Sequence, residues 1–97
     1  MPLKRNTTIN ALKTYINKEM VSTLKNLDLP IKKFILLPPK KDEFGDLSTN
    51  VAMLIAGSIN KKPIDIANEI KLNLTEKNMD NIEEITVTAP GFINFVI

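Results

Sequence analysis

The chain has no cysteine, no histidine and no tryptophan, one tyrosine and only three glycines. Without cysteine there are no disulfides and no thiol chemistry, which fits a cytoplasmic address. Without histidine a Ser-His-Asp arrangement is impossible, and a metal site would have to rest on carboxylates alone. No carboxylate cluster has suitable spacing, so no metal is expected. Three glycines leave neither GxGxxG nor GxxxxGK[ST], so Gly45-Asp46 is not part of a recognisable phosphate loop. No apolar run approaches the roughly 20 residues needed to span a bilayer. The start, with Lys4-Arg5 before a polar helix, lacks the apolar core of a signal peptide.

What is present is ordinary for a water-soluble domain. Of the 97 residues, 43% are hydrophobic and 25% charged. One domain spanning 1–97 is expected, burying roughly 60–65% of the surface its unfolded chain exposes. The net charge of +2 conceals a division. Residues 1–41 hold nine Lys/Arg and two Asp/Glu, a net of +7, whereas residues 42–97 hold four Lys and nine Asp/Glu, a net of −5. A basic half attracts an anionic partner such as nucleic acid, or is simply a solvated lysine-rich surface. Asp42-Glu43 and Glu83-Glu84 read as solvated charge rather than as acid/base pairs.

Apolar residues define the elements. Ile9, Leu12, Ile16, Met20, Leu24 and Leu27 recur at steps of three and four, which predicts a helix over about 8–26, capped by Thr7 or Thr8 and stopped by Pro30. Its apolar face is expected to pack on a sheet. Ile31 to Leu37 is rich in β-formers and predicts a strand ended by Pro38-Pro39. Phe44 to Leu47 predicts a short strand. A second helix is expected over about 49–59 with Val51, Leu54, Ile55 and Ile59 inward. A third begins at Pro63, which suits the first helical turn, and runs to about Thr75.

Two strands close the chain, with Ile85, Val87 and Ala89 alternating against Glu84, Thr86 and Thr88, and Ile93, Phe95 and Ile97 against Phe92, Asn94 and Val96. Between them Pro90-Gly91 is turn chemistry, Pro fixing φ and Gly admitting positive φ, in a loop of three to five residues. The fold class expected is α+β: a small mixed or antiparallel sheet of three to four strands with three helices mainly on one face. The other sheet face is left partly open. Alternation places Phe92 and Asn94 together on it, as a ring for base stacking and an amide for a base edge, or merely as an edge contact and a soluble side chain. The chain ends within an apolar strand, as a piece of a longer protein would.

Two stretches carry a resemblance. Gly45-Asp46-Leu47-Ser48-Thr49-Asn50 opens a helix, and Pro90-Gly91-Phe92-Ile93-Asn94-Phe95 closes the chain. Together, over about Ile35 to Ile97, they resemble the N-terminal domain of arginyl-tRNA synthetases; residues 1–30 match only as an amphipathic helix of suitable length. The resemblance implies a domain that docks on the tRNA elbow and reads the D-loop, with arginine tRNA and the parent's catalytic domain as partners and neither a membrane nor DNA.

It carries D-loop contacts over to Phe92 and Asn94. Gly45, Asp46, Asn50, Pro90 and Gly91 match as structural motif positions. Lys40 and Lys41, with Lys32 and Lys33, are candidates for the tRNA backbone. Ala89 stands where some members have an amide, so that contact should be missing. The implied parent attaches arginine to tRNA using ATP with magnesium. This chain has no cofactor of its own, no catalytic residue and neither the HIGH nor the KMSKS motif. The rival readings are a free-standing protein-interaction module that uses the open face or a sheet edge, and a small enzyme, against which the missing histidine, cysteine and phosphate loops argue.

Overall fold

The computed structural model describes residues 5–39 and 41–97. Helix α1 spans Arg5–Asn26, so Thr7 and Thr8 lie inside the helix rather than capping it. Its end is set by Asp28, which takes the left-handed conformation at φ 58°. The amide of Asp28 donates to the carbonyl of Lys25 (3.1 Å) and that of Leu29 to the carbonyl of Leu24 (2.8 Å). This is the Schellman closure, with Pro30 following just beyond it. Leu12, Ile16, Met20 and Leu24 are buried as their spacing requires. They meet mainly α3 rather than the sheet. Polar contacts tie α1 to the end of α3 and its turn, among them Lys77 Nζ donating to the Glu19 carbonyl (3.2 Å) and the Asp80 amide to Tyr15 Oη (3.1 Å).

The segment after Pro30 is extended but is not a strand. It meets the sheet at one bridge, in which the Leu37 amide donates to Ser48 (3.0 Å) and the Ser48 amide to Leu37 (2.7 Å). The neighbours of this bridge explain why no ladder forms. The antiparallel partner of Ile35 would be Asn50, whose carbonyl already accepts the first helical bonds from Met53 and Leu54. On the other side Pro39 has no amide to give, and Asp46, which would face it, donates instead to Phe95 (2.8 Å). Even so, the segment's side chains alternate: Leu36 is buried, whereas Ile35 and Leu37 are exposed.

Asp42–Phe44 form a 3₁₀ turn, and strand β1 follows at Leu47–Thr49, later than the short strand expected over Phe44 to Leu47. Helix α2 (Val51–Ile59) starts two residues later than expected because Thr49 is still paired with Ile93. It ends on left-handed Asn60 at φ 53°. Helix α3 (Pro63–Glu76) has Pro at its start. Strands β2 (Glu84–Thr88) and β3 (Phe92–Val96) form the hairpin, joined by the three residues Ala89 to Gly91.

The sheet is antiparallel with order β1-β3-β2, so the last strand of the chain is the central one. Three helices and three strands make an α+β fold in which α2 and α3 lie against one sheet face and α1 packs across α3. That face presents Leu47, Thr49, Ile85, Ile93 and Phe95, all buried in or beside one core with Val51, Ile55, Ile66, Ile70 and Leu74.

Candidate nucleic-acid interface

The open sheet face is where the chain's two motifs converge. The register places Ser48, Asn94 and Thr86 in one row across all three strands, with Phe92 opposite Thr88 one step along. Because side chains alternate, every one of these points away from the helices. The exposed side chains of Ile35 and Leu37, together with Pro38, Pro39 and Phe44, rise beside the row. They enclose a groove of about 400 Å³ that is also lined by Asn50, Ala89 and Phe92. Its walls are apolar and its floor is hydroxyl and amide. Phe92 is 38% exposed and supplies an aromatic face at the groove's edge.

Asn94 lies on the expected side of β3, but not in solvent: it is 1% exposed. Its Nδ2 donates to Thr88 Oγ1 (3.1 Å) and Thr86 Oγ1 (3.4 Å), which commits both amide hydrogens to the hairpin partner. Strand neighbours on both sides sink it below the rim. Asn94 is therefore part of the floor's construction. It leaves Oδ1 as an acceptor and the Thr88 hydroxyl hydrogen as a donor toward the groove. Asn94→Ala is accordingly expected to lower stability by about 1–2 kcal/mol, the worth of two hydrogen bonds, in a denaturant titration. A fully exposed amide would give no loss.

Gly45 and Asp46 hold the edge of this face together. Gly45 has φ +128°, and a Cβ there would stand 2.9 Å from the carbonyl oxygen of Phe95. The Asp46 amide donates to that oxygen (2.8 Å), and its Oδ2 accepts from the Ile97 amide (2.8 Å). The Gly-Asp pair thus fastens β1 to the end of β3. Asn50 sits at the N-cap of α2, but its side chain makes no capping bond; Thr49 Oγ1 accepts from the Val51 amide instead (3.2 Å). This leaves the Asn50 amide facing the groove, a placement that its likeness to a helix cap concealed.

Gly91 is required for a different reason from the one its turn suggests. Its φ is not positive, but a Cβ would lie 2.8 Å from Pro63 Cβ, so the hairpin tip packs tightly on the start of α3. Pro90 beside it is exposed.

The basic candidates divide. Lys41 is exposed, and its Nζ lies 5.9 Å from the centre of the Phe44 ring, at one wall of the groove. Lys32 and Lys33 are exposed on the segment leading to Phe34, and Lys40 lies outside the described residues. Sequence reasoning missed Ile35, Leu37, Ser48 and Thr88 as groove residues. Alternation within β2 held the signal for Thr88, since it shares parity with Glu84 on the solvent side.

The chain is an α+β domain with helices on one sheet face and a polar-floored groove on the other, the side the core does not need. The chain belongs to the family described as "Arginyl tRNA synthetase N terminal domain", which it matches over residues 10–97. It is 42% identical over 89 residues to the arginine–tRNA ligase of Thermotoga petrophila, covering 92% of this chain and 15% of that one. It is 37% identical over 83 residues to the arginine–tRNA ligase of Mycoplasmoides gallisepticum, covering 84% and 15%. Among solved structures it superposes on the arginyl-tRNA synthetase of Thermus thermophilus with a TM-score of 0.74 at 27% identity, covering 89% of this chain and 14% of that one. The chain thus spans about 15% of the length of the curated relatives it matches. No helix among the described residues is long and apolar enough to cross a membrane.

Proposed function

We propose that this chain is the tRNA-recognition domain of an arginine–tRNA ligase, and that its open sheet face receives the D-loop at the elbow of arginine tRNA. The observation that carries the reading is the groove itself: apolar walls from Ile35, Leu37, Phe44 and Phe92 over a floor of Ser48, Asn94 and Thr88. An unpaired base has the complementary character, with two apolar faces and a polar edge. Stacking on Phe92 would hold the base, and the Asn94 Oδ1 and the Thr88 hydroxyl would meet its edge. Lys41 beside Phe44, and Lys40, would lie along the phosphate backbone. The rest of the parent enzyme supplies the catalytic domain, a partner of this one, and joins arginine to its tRNA with ATP and magnesium. The sequence carries neither GxGxxG nor GxxxxGK[ST], so we assign ATP to that catalytic domain.

The reading is tested with Phe92→Ala. Removing a stacking platform is worth roughly 1–3 kcal/mol, an affinity loss of about 5- to 150-fold for arginine tRNA. The variant should keep the melting temperature of the parent within about 3 °C, because a partly exposed ring at a strand end contributes little packing. Unchanged affinity, or chemical-shift changes on tRNA addition that fall on α2 and α3 and spare β3, would remove the groove from the interface.

A further inference from the structure

We infer that the outer face of α1 is a second RNA contact, a track for the phosphate backbone that continues from the groove; this rests on the reading of the groove as a nucleotide site. Three concavities run into one another. The groove shares Ile35 and Leu37 with a hollow of about 380 Å³ between α1 and residues 34–37. That hollow shares Thr14 and Asn17 with a shallow trough of about 550 Å³ along α1, which ends at Lys18, Ser22 and Lys25. A strand leaving the groove over the Ile35–Leu37 ridge therefore arrives directly on the helix.

The charge along this path has one sign. Lys13, Lys18 and Lys25 border the hollow and the trough, and among the described residues no acidic side chain lines any of the three concavities. The single acid of α1, Glu19, is turned away to Lys77, with Oε1 3.3 Å from Nζ. Lys18 and Lys25 are seven residues apart, so they stand about 10 Å apart on one helical face. Between them lie Asn17, Val21 and Ser22. An amide and a hydroxyl beside lysines are the side chains that bind phosphate oxygens. One valine is too little apolar surface for a membrane-lying helix, which needs a continuous hydrophobic face. Charge complementarity and continuity with the groove both favour an RNA backbone.

The experiment measures the affinity of the 97-residue chain for arginine tRNA across a salt series. Lys18→Gln with Lys25→Gln is compared with Lys61→Gln and Lys71→Gln, an equal charge loss at two lysines that line none of the three concavities. Two phosphate contacts contribute a slope of about 1.4–1.8 in log K against log salt, at roughly 0.7–0.9 each. The α1 pair should lose that much slope, and the comparison pair should lose none. An unchanged slope in the α1 pair, or an equal drop in both pairs, overturns the track. Phe92→Ala separates the two sites, because stacking removes affinity without changing the slope. Loss with Phe92→Ala but no slope change with the α1 pair leaves the groove and removes the track; the converse leaves the track and removes the groove. No saturable binding by the unaltered chain at low salt overturns both.

Discussion

Gly45→Val is expected to destabilise the domain by about 3 kcal/mol or more, since two effects add. The φ of +128° is strained for any residue with a side chain, at roughly 1–3 kcal/mol for a non-glycine held there. The new Cβ would also stand 2.9 Å from the Phe95 carbonyl oxygen, a backbone atom in the central strand that has no freedom to move aside. Relief requires Gly45 to back away, which loosens the Asp46 amide bond to that same oxygen and draws Asp46 Oδ2 from the Ile97 amide. At 4–8 °C per kcal/mol for a domain of this size, the melting temperature should fall by roughly 12–24 °C. Affinity for tRNA should fall only as far as the folded fraction falls. A Gly45→Val variant that melts normally and no longer binds would move the glycine from the scaffold into the interface.

The fold was legible where one periodicity operated alone. The stripes of α1 and α3 and the alternation of β3 named most of the residues those elements bury, because each buries mainly one face; Thr23 and Asn94 were missed, and in α2 Leu54, expected inward, is exposed. The misreadings arose where a backbone partner decided the outcome. Ile31 to Leu37 has strand composition, but whether it becomes a strand depends on a free edge opposite, and β1 is only three residues long. Likewise Gly91 reads as a residue chosen for its φ, whereas the requirement is the nearness of Pro63, about 28 residues earlier in the chain.

The site was legible in its side but not in its depth. Parity along β3 assigned Phe92 and Asn94 to the face away from the helices, and the register agrees. Parity does not say how far a side chain rises above its neighbours. Asn94 occupies the central strand between Ser48 and Thr86 and is sealed by them, while Phe92, at the strand's start, reaches the rim. The walls came from the segment misread as a strand. As an extended chain held at one bridge, it keeps Leu36 in the core and leaves Ile35 and Leu37 free to form a wall. A regular fourth strand would have continued the sheet and left the open face flatter.

Phe95→Ala is expected to cost about 3–5 kcal/mol, the range for truncating a buried phenylalanine and leaving a cavity. Phe95 is fully buried on the central strand, paired with Leu47 on one side and Ile85 on the other. Its ring belongs to the core beneath α2 and α3, with Val51, Ile55, Ile66 and Ile70 in the same cluster. A domain of this size has only about 5–10 kcal/mol in total, so the variant should be partly unfolded at physiological temperature. Phe92→Ala, three residues away on the opposite face, should change stability by less than about 1 kcal/mol while weakening tRNA binding. The two phenylalanines therefore separate packing from recognition on one strand. The measurements are denaturant unfolding of both variants and tRNA affinity of each at a temperature where it is folded. If Phe92→Ala unfolds the domain and Phe95→Ala does not, β3 presents its other face to the helices, and the groove floor assigned to Asn94 and its threonine partners is lost with it.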